Sequence, residues 1–461
     1  MAKGKYQQYR KPSILPVIFF SILILVALFL VGKIVWEDVP EITTEPPQTQ
    51  KTTVPTRPTE ATTAPTTEPT EEPTTAPTEP FIVSTASVGV SGDVLIHSPV
   101  YNAAYVGNGE YDFNSIFTYI SDYYESYDFM IANLEVTLSG ADKGYGGYPN
   151  FNCPDSIIDA LQNAGVDMML NANNHTYDMG HYGLMRTQEV MEEKGMAHLG
   201  TRTTTDTPLY TVQDINGIQV GMICYTYETG NTSDGRKTLN GIPVNHSDTE
   251  LISSFHPKHL DEFYDNVSAA LEAMYAEGAE VTMVFIHWGD EYHLKQNSQQ
   301  TEISQMLCEL GVDVIVGGHP HVIQPFDTLV SSEGHTTYCI YSIGNAISNQ
   351  RRSNISAAPN GHTEDSMIFG VTFEKWNDGT VNIQSIDILP IWVSKGWSNS
   401  KGNAYYIIPL DVDNEDWTGF DISDNGYLYG SYNRTMAIVG AGLNEAREAL
   451  GLDTKPLEIS Q

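Results

Sequence analysis

A chain of 461 residues with a formal net charge of −35 at pH 7 has room for one large catalytic domain or two smaller domains. The acidic balance persists downstream of residue 80, so it argues against a nucleic-acid partner. Over long range the same charge repels a polyanionic polymer, which would need metal ions or salt screening to approach the protein.

The first segment of the chain predicts a single membrane anchor. Residues 14–35 begin with an uncharged apolar run that ends at Gly32 and is long enough to cross most of a bilayer core as a helix. Residues 1–13 carry basic side chains, and acidic side chains follow the run. Residues 1–13 are therefore expected in the cytoplasm and the rest of the chain outside the cell membrane. A cleaved signal peptide is the alternative, although small residues suited to cleavage are missing after the run.

Residues 36–80 consist largely of Thr, Pro and Glu, with recurring Ala-Pro-Thr and Glu-Pro-Thr units. A segment with so few apolar side chains cannot form a core, and its prolines favour extended polyproline II. The composition predicts a disordered Thr/Pro-rich linker, suited to a stalk through a cell wall.

Residues 81–395 show alternating helix and strand patterns, which indicate an α/β domain with a strand-rich second half. Helices are predicted at residues 115–126, 155–164, 181–194, 260–277 and 301–310. Strands are predicted at residues 86–96, 129–133, 166–171, 208–214, 219–225, 281–287, 312–316, 322–330, 337–342, 367–374 and 381–390. Residues 396–461 form a loop-rich C-terminal extension with one short helix at 442–450. The pattern suggests a sheet sandwich covered by helices.

The four cysteines are widely spaced and form neither a CxxC nor a CxxH pair. This spacing predicts buried thiols and argues against thiolate metal ligands. A structural disulfide stays open as an alternative, because an extracellular location permits one.

Polar residues that can bind metals follow the predicted strands. The apolar strand 312–316 is followed by two glycines and then by His319 and His321. Pro320 between them is expected to hold His319 extended, so that both imidazoles point toward one position. The other strand ends carry Asp93, His97, Glu135, the Asn-Asn-His run 173–175 and His287. Because ligands gather beyond the carboxyl ends of strands in α/β sheets, these carboxylate, amide and imidazole groups predict a site for one or two divalent metal ions (Mn, Zn or Fe).

Taken in chain order, these motifs resemble the capsule-synthesis CapA family, the poly-γ-glutamate capsule proteins, whose domain is similar to the calcineurin-like metallophosphoesterases. The resemblance covers residues 87–349. It rests on Gly92-Asp93, Asn133-Leu-Glu135, Asn173-Asn-His175 with Asp178 and Gly180, His287-Trp-Gly289 with Glu291, Gly318-His-Pro-His321 with Gln324, and Tyr341-Ser-Ile-Gly-Asn345.

The resemblance implies a four-layer α/β/β/α metallophosphoesterase-like sandwich with a metal centre at its strand ends. One metal would be held by Asp93 and His321, the other by Asn174, His287 and His319, with Glu135 bridging them. His175 would act as the catalytic general acid beside the metals. The surrounding residues expected to support this set are His97, Asn173, Asp178, Glu291 and Asn345.

Two departures from the metallophosphoesterase pattern concern the first two strands. Leu95 stands where those enzymes carry a histidine two residues after the aspartate, and His97 is the only histidine nearby. On a strand of period two, His97 shares a face with Asp93, so it either reaches the site or orients Asp93. The usual bridging aspartate is replaced by the longer Glu135.

Two classes of function fit this sequence. The first is a membrane-anchored, extracellular metal-dependent hydrolase that acts on a phosphoester or an amide of a cell-envelope polymer. The second is a non-hydrolytic component of poly-γ-glutamate capsule biosynthesis, transport or anchoring that works beside a membrane polymer synthase. A wall-spanning scaffold with a relic site is a third reading.

Overall fold

The computed structural model describes residues 79–398, 402–413, 417–423 and 425–459. The predicted cytoplasmic tail, membrane anchor and almost all of the Thr/Pro-rich linker lie outside these residues. Within the described part of the chain, no helix is both long and apolar enough to span a bilayer.

Strands and helices alternate through most of the described residues. The strands are β1 (Ile82–Val94), β2 (Tyr105–Gly107), β3 (Glu110–Tyr111), β4 (Phe129–Leu134), β5 (Met168–Leu170), β6 (Ala197–Leu199), β7 (Tyr210–Ile215), β8 (Ile218–Tyr227), β9 (Gly230–Asn231), β10 (Lys237–Leu239), β11 (Ile242–Pro243), β12 (Ser254–Phe255), β13 (Val281–His287), β14 (Val314–Gly318), β15 (Phe326–Val330), β16 (Thr336–Ile340), β17 (Asp365–Trp376), β18 (Val381–Ser398) and β19 (Gly402–Pro409). The α-helices are α1 (Ser98–Ala103), α2 (Ser121–Tyr124), α3 (Ser156–Asn163), α4 (Gly180–Glu193), α5 (Leu260–Ala276), α6 (Ser298–Glu309) and α7 (Leu428–Ala449). Short 3₁₀ helices occupy Asn114–Phe117, Ala141–Lys143, His246–Leu251, His362–Glu364, Trp417–Gly419 and Asn425–Tyr427.

Two seven-stranded sheets form the framework of the described residues. The first has the strand order β19-β18-β17-β1-β4-β5-β6, and the second has the order β12-β8-β13-β14-β16-β15 with β7 paired to β8. The pairs β1/β4, β4/β5 and β5/β6 are parallel, as are β8/β13, β13/β14 and β14/β16. Strands β4, β5, β13 and β14 are nearly continuous apolar runs because both of their faces are buried.

The two sheets face each other across one apolar core that includes Val88 and Val90 of β1 and Met222 and Phe285 of the second sheet. A second cluster packs α1, α3 and α4 on the outer face of the first sheet. A third packs α5 and α6 on the outer face of the second sheet. The domain is therefore layered as helices, sheet, sheet and helices, and the predicted mixed α/β class is confirmed.

The structure differs from the sequence prediction at two helices. The helix predicted at 115–126 is a 3₁₀ helix and the short α2 instead, which fits the poor helix propensity of the aromatic and β-branched residues there. The short helix predicted at 442–450 is part of the much longer α7. Its Gly442 lies where a Cβ would approach the Phe326 carbonyl oxygen to 2.0 Å, so this glycine serves close packing on β15 and does not end the helix.

The C-terminal extension is integrated into the sandwich. Strand β18 runs across the boundary predicted between residues 395 and 396, and β19 pairs with it as the edge of the first sheet. Val439 and Leu443 of α7 join the central core. Arg434 of the same helix forms two hydrogen bonds of 2.6 Å with the buried Asp365 of β17.

Candidate metal centre

The carboxyl ends of the parallel strands from both sheets meet at one rim of the sandwich. Asp93 lies near the end of β1 and Glu135 directly after β4, both in the first sheet. His287 ends β13 of the second sheet, and His319 and His321 follow β14. The His319 backbone N–H donates to Asp93 Oδ2 at 3.3 Å, and His287 Nε2 lies 3.2 Å from Glu135 Oε1. The two sheets therefore place their ligand-type side chains in direct contact.

These side chains form two buried groups that could each hold a metal ion. One group is Glu135, His287 and His319, and the other is Asp93, Glu135 and His321. In each group the donor atoms lie within 4.8 Å of one another. Glu135 belongs to both groups, which is the position that a bridging carboxylate would occupy.

Asn174 extends the first of these groups. It follows β5, and its Oδ1 lies 2.8 Å from His287 Nε2. The structure thus brings together all six residues that the sequence predicts as metal ligands, with the same division into two sets around Glu135.

Three buried donor atoms of this cluster make no hydrogen bond within the described residues: both carboxylate oxygens of Glu135 and Nδ1 of His319. Buried polar atoms are normally satisfied, so unpartnered atoms in one buried cluster call for a missing partner. Mixed carboxylate, imidazole and amide donors are the ligands that divalent first-row metals accept. The residues present therefore fit a divalent metal centre.

Burial controls the protonation of the candidate ligands. It lowers the pKa of His287 to about 4 and holds the pKa of His319 well below its usual range. Both imidazoles are therefore neutral at pH 7 and keep a lone pair for a metal. Burial and the nearby charge of Asp93 raise the pKa of Glu135 well above its usual range, while His321 and His175 oppose that shift. The positive charge of His321 offsets the two carboxyl groups of this buried pocket only in part, and a metal ion would supply further positive charge.

His321 lies among oxygen atoms. Its Nδ1 is 3.0 Å from Asn345 Oδ1 and 3.4 Å from Asp93 Oδ2. Burial lowers its pKa, but the charge of Glu135 and the hydrogen bond with Asp93 outweigh that effect and raise the pKa to about 9. Asn345 therefore contacts a candidate ligand directly, in the supporting role that the sequence predicts for it.

The backbone after β14 departs from the expected conformation. His319 has a φ of 96° instead of the extended value expected before a proline, and His321 has a φ of 57°. Such backbone costs roughly 1–3 kcal/mol per residue and persists where surrounding contacts enforce it. Here the His319 amide is directed to Asp93, and a Cβ on Gly317 would lie 2.0 Å from the Tyr341 carbonyl oxygen. Close packing of β14 on the segment after β16 thus favours glycine at this position.

His175 forms a buried pair with Asp178 beside the metal ligands. Its Nδ1 lies 2.8 Å from Asp178 Oδ2, which also accepts a hydrogen bond of 2.7 Å from the Phe151 N–H. The His175 N–H donates to Asn173 Oδ1 at 3.2 Å, and the Asn173 Nδ2 donates to the Leu134 carbonyl oxygen at 2.8 Å. Asn173 and Asp178 thus fix the backbone and the ring of His175, respectively.

Two of the predicted supporting residues lie further from the ligands. The Nδ1 of the half-buried His97 is 3.1 Å from the Leu95 carbonyl oxygen and 3.3 Å from the Asn349 amide nitrogen, and His97 belongs to neither metal-binding group. Glu291 is exposed, and its charge raises the pKa of His321, after larger contributions from Glu135 and Asp93. The charge of Glu291 therefore affects the site electrostatically.

Asn133 and Tyr227 also contact candidate ligands, although the sequence prediction names Asn133 only within the Asn133-Leu-Glu135 motif, without a role, and does not name Tyr227. Asn133 Nδ2 donates to Asp93 Oδ1 at 2.8 Å, and the Tyr227 ring lies 4.7 Å from the His319 ring. The period of two along β4 places Asn133 on the same face as Glu135, so that signal could have identified it. For Tyr227 at the end of β8 the sequence offers no comparable signal.

A family match covers most of this domain. Residues 87–350 match the bacterial capsule synthesis protein PGA_cap. The chain belongs to this family. The PGA_cap region spans β1 through the segment after β16 and so includes every candidate ligand.

Two curated relatives are both named CapA. The chain is 25% identical over 291 residues to the capsule biosynthesis protein CapA of Bacillus anthracis, covering 62% of this chain and 63% of that protein. It is 24% identical over 279 residues to the PGA biosynthesis protein CapA of Bacillus subtilis (strain 168), covering 60% of this chain and 65% of that protein. The alignment thus spans somewhat less than two thirds of either relative.

Two solved structures are more distantly similar. The NAD nucleotidase NadN of Haemophilus influenzae matches with a TM-score of 0.39 and 12% identity, over 77% of this chain and 63% of that one. The protein TT1561 of Thermus thermophilus matches with a TM-score of 0.30 and 9% identity, over 62% of this chain and 94% of that one. Neither likeness is close enough to support a conclusion about this protein.

Proposed function

We propose that this PGA_cap domain is a divalent-metal-dependent hydrolase of metallophosphoesterase type that cleaves a phosphoester or an amide bond in a cell-envelope polymer. In this proposal the N-terminal apolar segment anchors the protein in the cell membrane and the Thr/Pro-rich linker carries the domain outward. The observation that carries the proposal is the buried His175–Asp178 pair next to the metal-ligand groups. A protein that only holds a polymer needs metal ions but no oriented proton donor.

A divalent metal supplies Lewis-acid activation of water and of the scissile group when it is bound at such a site. The chain's own contribution is to fix the position of the proton donor. Asp178 accepts a hydrogen bond from His175 Nδ1, which leaves Nε2 as the atom that can carry a transferable proton. The Asp178 carboxylate also stabilises the charged ring before transfer.

The proposed reaction is a hydrolysis. A water oxygen bonds to the phosphorus or to the carbonyl carbon, and the bond to the leaving oxygen or nitrogen breaks. His175 Nε2 gives its proton to that leaving atom, and the proton lost by the attacking water passes to solvent, which can later reprotonate the imidazole. A general acid of this kind contributes about 10²–10⁴-fold to the rate.

The test uses the full chain, purified in detergent and loaded separately with Mn, Zn or Fe. Hydrolysis of a generic phosphodiester and shortening of poly-γ-glutamate are measured with wild type, His287→Ala and His175→Ala. The expected result is metal-dependent turnover of one substrate class, lost in both variants, with metal retained only in His175→Ala. A fully metal-loaded protein that turns over neither substrate would count against a hydrolase.

The alternative is a non-hydrolytic role in making, transporting or anchoring a poly-γ-glutamate capsule beside a membrane synthase. The names of the two relatives support its biosynthetic part, since they refer to capsule and PGA biosynthesis. In that case bound metal ions would bridge the carboxylates of the polymer and those of this acidic chain. Capsule formation in cells would then require His287 and would be unaffected by His175→Ala.

A further inference from the structure

Asn240 joins the His175–Asp178 pair from a distant part of the chain. Its Nδ2 lies 3.3 Å from Asp178 Oδ1, 3.3 Å from His175 Nδ1 and 3.2 Å from the Pro149 carbonyl oxygen. Asn240 is half-buried, while Asp178 and His175 are buried. The side chain of a hairpin residue thus completes the surroundings of the proposed proton donor.

The partners of Asn240 determine the orientation of its amide. The Pro149 carbonyl and the Asp178 carboxylate have no hydrogen to donate, so only the NH₂ side of the amide can face them. Its two hydrogens match these two acceptors. With His175 Nδ1–H directed to Asp178 Oδ2, the two oxygens of Asp178 receive different donors: His175 and the Phe151 N–H bond to Oδ2, and Asn240 bonds to Oδ1.

The turn alone does not explain this side chain. Asn240 and Gly241 are the two central residues of the β10–β11 hairpin, with φ values of 48° and 72°, and Leu239 pairs with Ile242 across them. Two positive φ angles define the tight turn that favours Asn-Gly, but glycine satisfies the first position equally well. The hairpin is also held firmly, since Leu239 is fully buried and Gly241 N–H donates to Thr229 Oγ1 at 2.9 Å.

We propose that Asn240 is a positioning residue for general-acid catalysis: it holds the Asp178 carboxylate in the orientation that directs His175 Nε2 toward the leaving group. This inference rests on the proposed hydrolytic function. It extends that function to a third residue, 65 positions beyond His175 in the chain, and assigns a role to the β10–β11 hairpin.

Three variants test the proposal in the full-length, metal-loaded protein. Asn240→Gly removes the side chain and keeps the backbone conformation, because glycine tolerates positive φ. Asn240→Asp keeps the shape and turn preference but replaces the donor with a negative oxygen facing Asp178. Asn231→Asp is the matched control, since it adds the same charge at an exposed position of neighbouring β9.

The readout is hydrolysis of two phosphodiesters, one with a nitrophenolate leaving group and one with an alkoxide. A nitrophenolate needs no proton to leave, so only the alkyl ester depends strongly on the general acid. For Asn240→Gly we expect kcat on the alkyl ester to fall about 10- to 100-fold, the range typical of residues that orient a functional side chain. We expect KM, metal content, melting temperature and nitrophenyl ester turnover to stay near wild type.

We expect Asn240→Asp to lower kcat on the alkyl ester more than Asn240→Gly does. We expect Asn231→Asp to leave that kcat unchanged. Three results would overturn the positioning role while leaving the hydrolase intact. They are an equal fall in kcat on both esters, loss of bound metal, and wild-type kinetics in both Asn240 variants. A metal-loaded wild type inactive on both esters refutes hydrolysis of phosphodiesters. If it also fails to shorten poly-γ-glutamate, the proposed function fails and the role of Asn240 falls with it.

Discussion

Glu135→Gln is the substitution that most sharply tests the candidate metal centre, because Glu135 is the residue shared by both ligand groups. Glutamine keeps the shape of the side chain but offers a weaker neutral oxygen donor. Without metal, burial and the charge of Asp93 raise the pKa of Glu135 and so disfavour its ionised form, whereas glutamine has no charge to bury. We therefore expect the metal-free variant to be as stable as metal-free wild type, or slightly more stable.

Added metal should raise the melting temperature of wild type much more than that of Glu135→Gln. A metal ion at 100 times its Kd stabilises the native state by about 2.7 kcal/mol. With an unfolding entropy of about 2.1 cal/mol/K per residue, a domain of this size gains roughly 3–4 °C in Tm from each such ion. We expect wild type to show this gain for one or two ions and Glu135→Gln to lose most of it.

The assay is thermal unfolding of the full chain in detergent, with and without added Mn, Zn or Fe, together with elemental analysis. Glu291→Gln is the control, because Glu291 is an exposed carboxylate near the same site. A Glu135→Gln protein with wild-type metal content and a wild-type metal-induced gain in Tm would refute the shared-ligand assignment. An equal loss of metal content and of the metal-induced gain in Tm in Glu291→Gln would also refute it.

The remaining predictions concern single side chains. His287→Ala should reduce metal affinity more than His97→Ala does, because His97 belongs to neither ligand group. Metal titration measures both affinities, and the reverse ranking would contradict the assignment. His175→Ala should keep its metal by elemental analysis and lose about 10²–10⁴-fold of any hydrolytic rate. Arg434→Met should lower the free energy of unfolding by about 3 kcal/mol in denaturant titrations, because it leaves a buried aspartate of β17 without its ion pair. Arg447→Met should lower the free energy of unfolding less, because its partner Asp387 is only half-buried. Equal losses in the two variants would argue against a special role for the buried pair.

The strand ends could be predicted from the sequence because buried parallel strands are continuous apolar runs. The polar residue that ends such a run, as His287 ends β13, must lie at the rim of a sheet. Matching these rim residues to a known family then indicated which of them form one site. The predicted division of the ligands around Glu135 also came from that match, and metal binding by either group stays a prediction.

Other parts of the site could not be predicted, because they depend on contacts between distant segments. Asn240 stands in an Asn-Gly turn that any hairpin could carry, and only its approach to Pro149 and Asp178 gives it a role. The positive φ of His319 contradicts the local preference of a residue before proline, since packing across the two sheets outweighs that preference. The length of α7 was underestimated because Gly442 weakens the helical signal while serving packing against β15.

The acidity of the chain and the chemistry of the candidate site are linked through electrostatics. A formal net charge of −35 attracts divalent cations and repels polyanions over distances up to the screening length, about 8 Å at physiological salt. Under the proposed function, this field favours filling the rim site with metal before an anionic polymer arrives. With metal ions balancing Asp93 and Glu135, a single phosphoester or carboxylate of such a polymer would meet locally positive charge within a negative surface. Such an arrangement suits the recognition of one bond of a polymer at the metal ions better than the binding of a long polyanion along the surface.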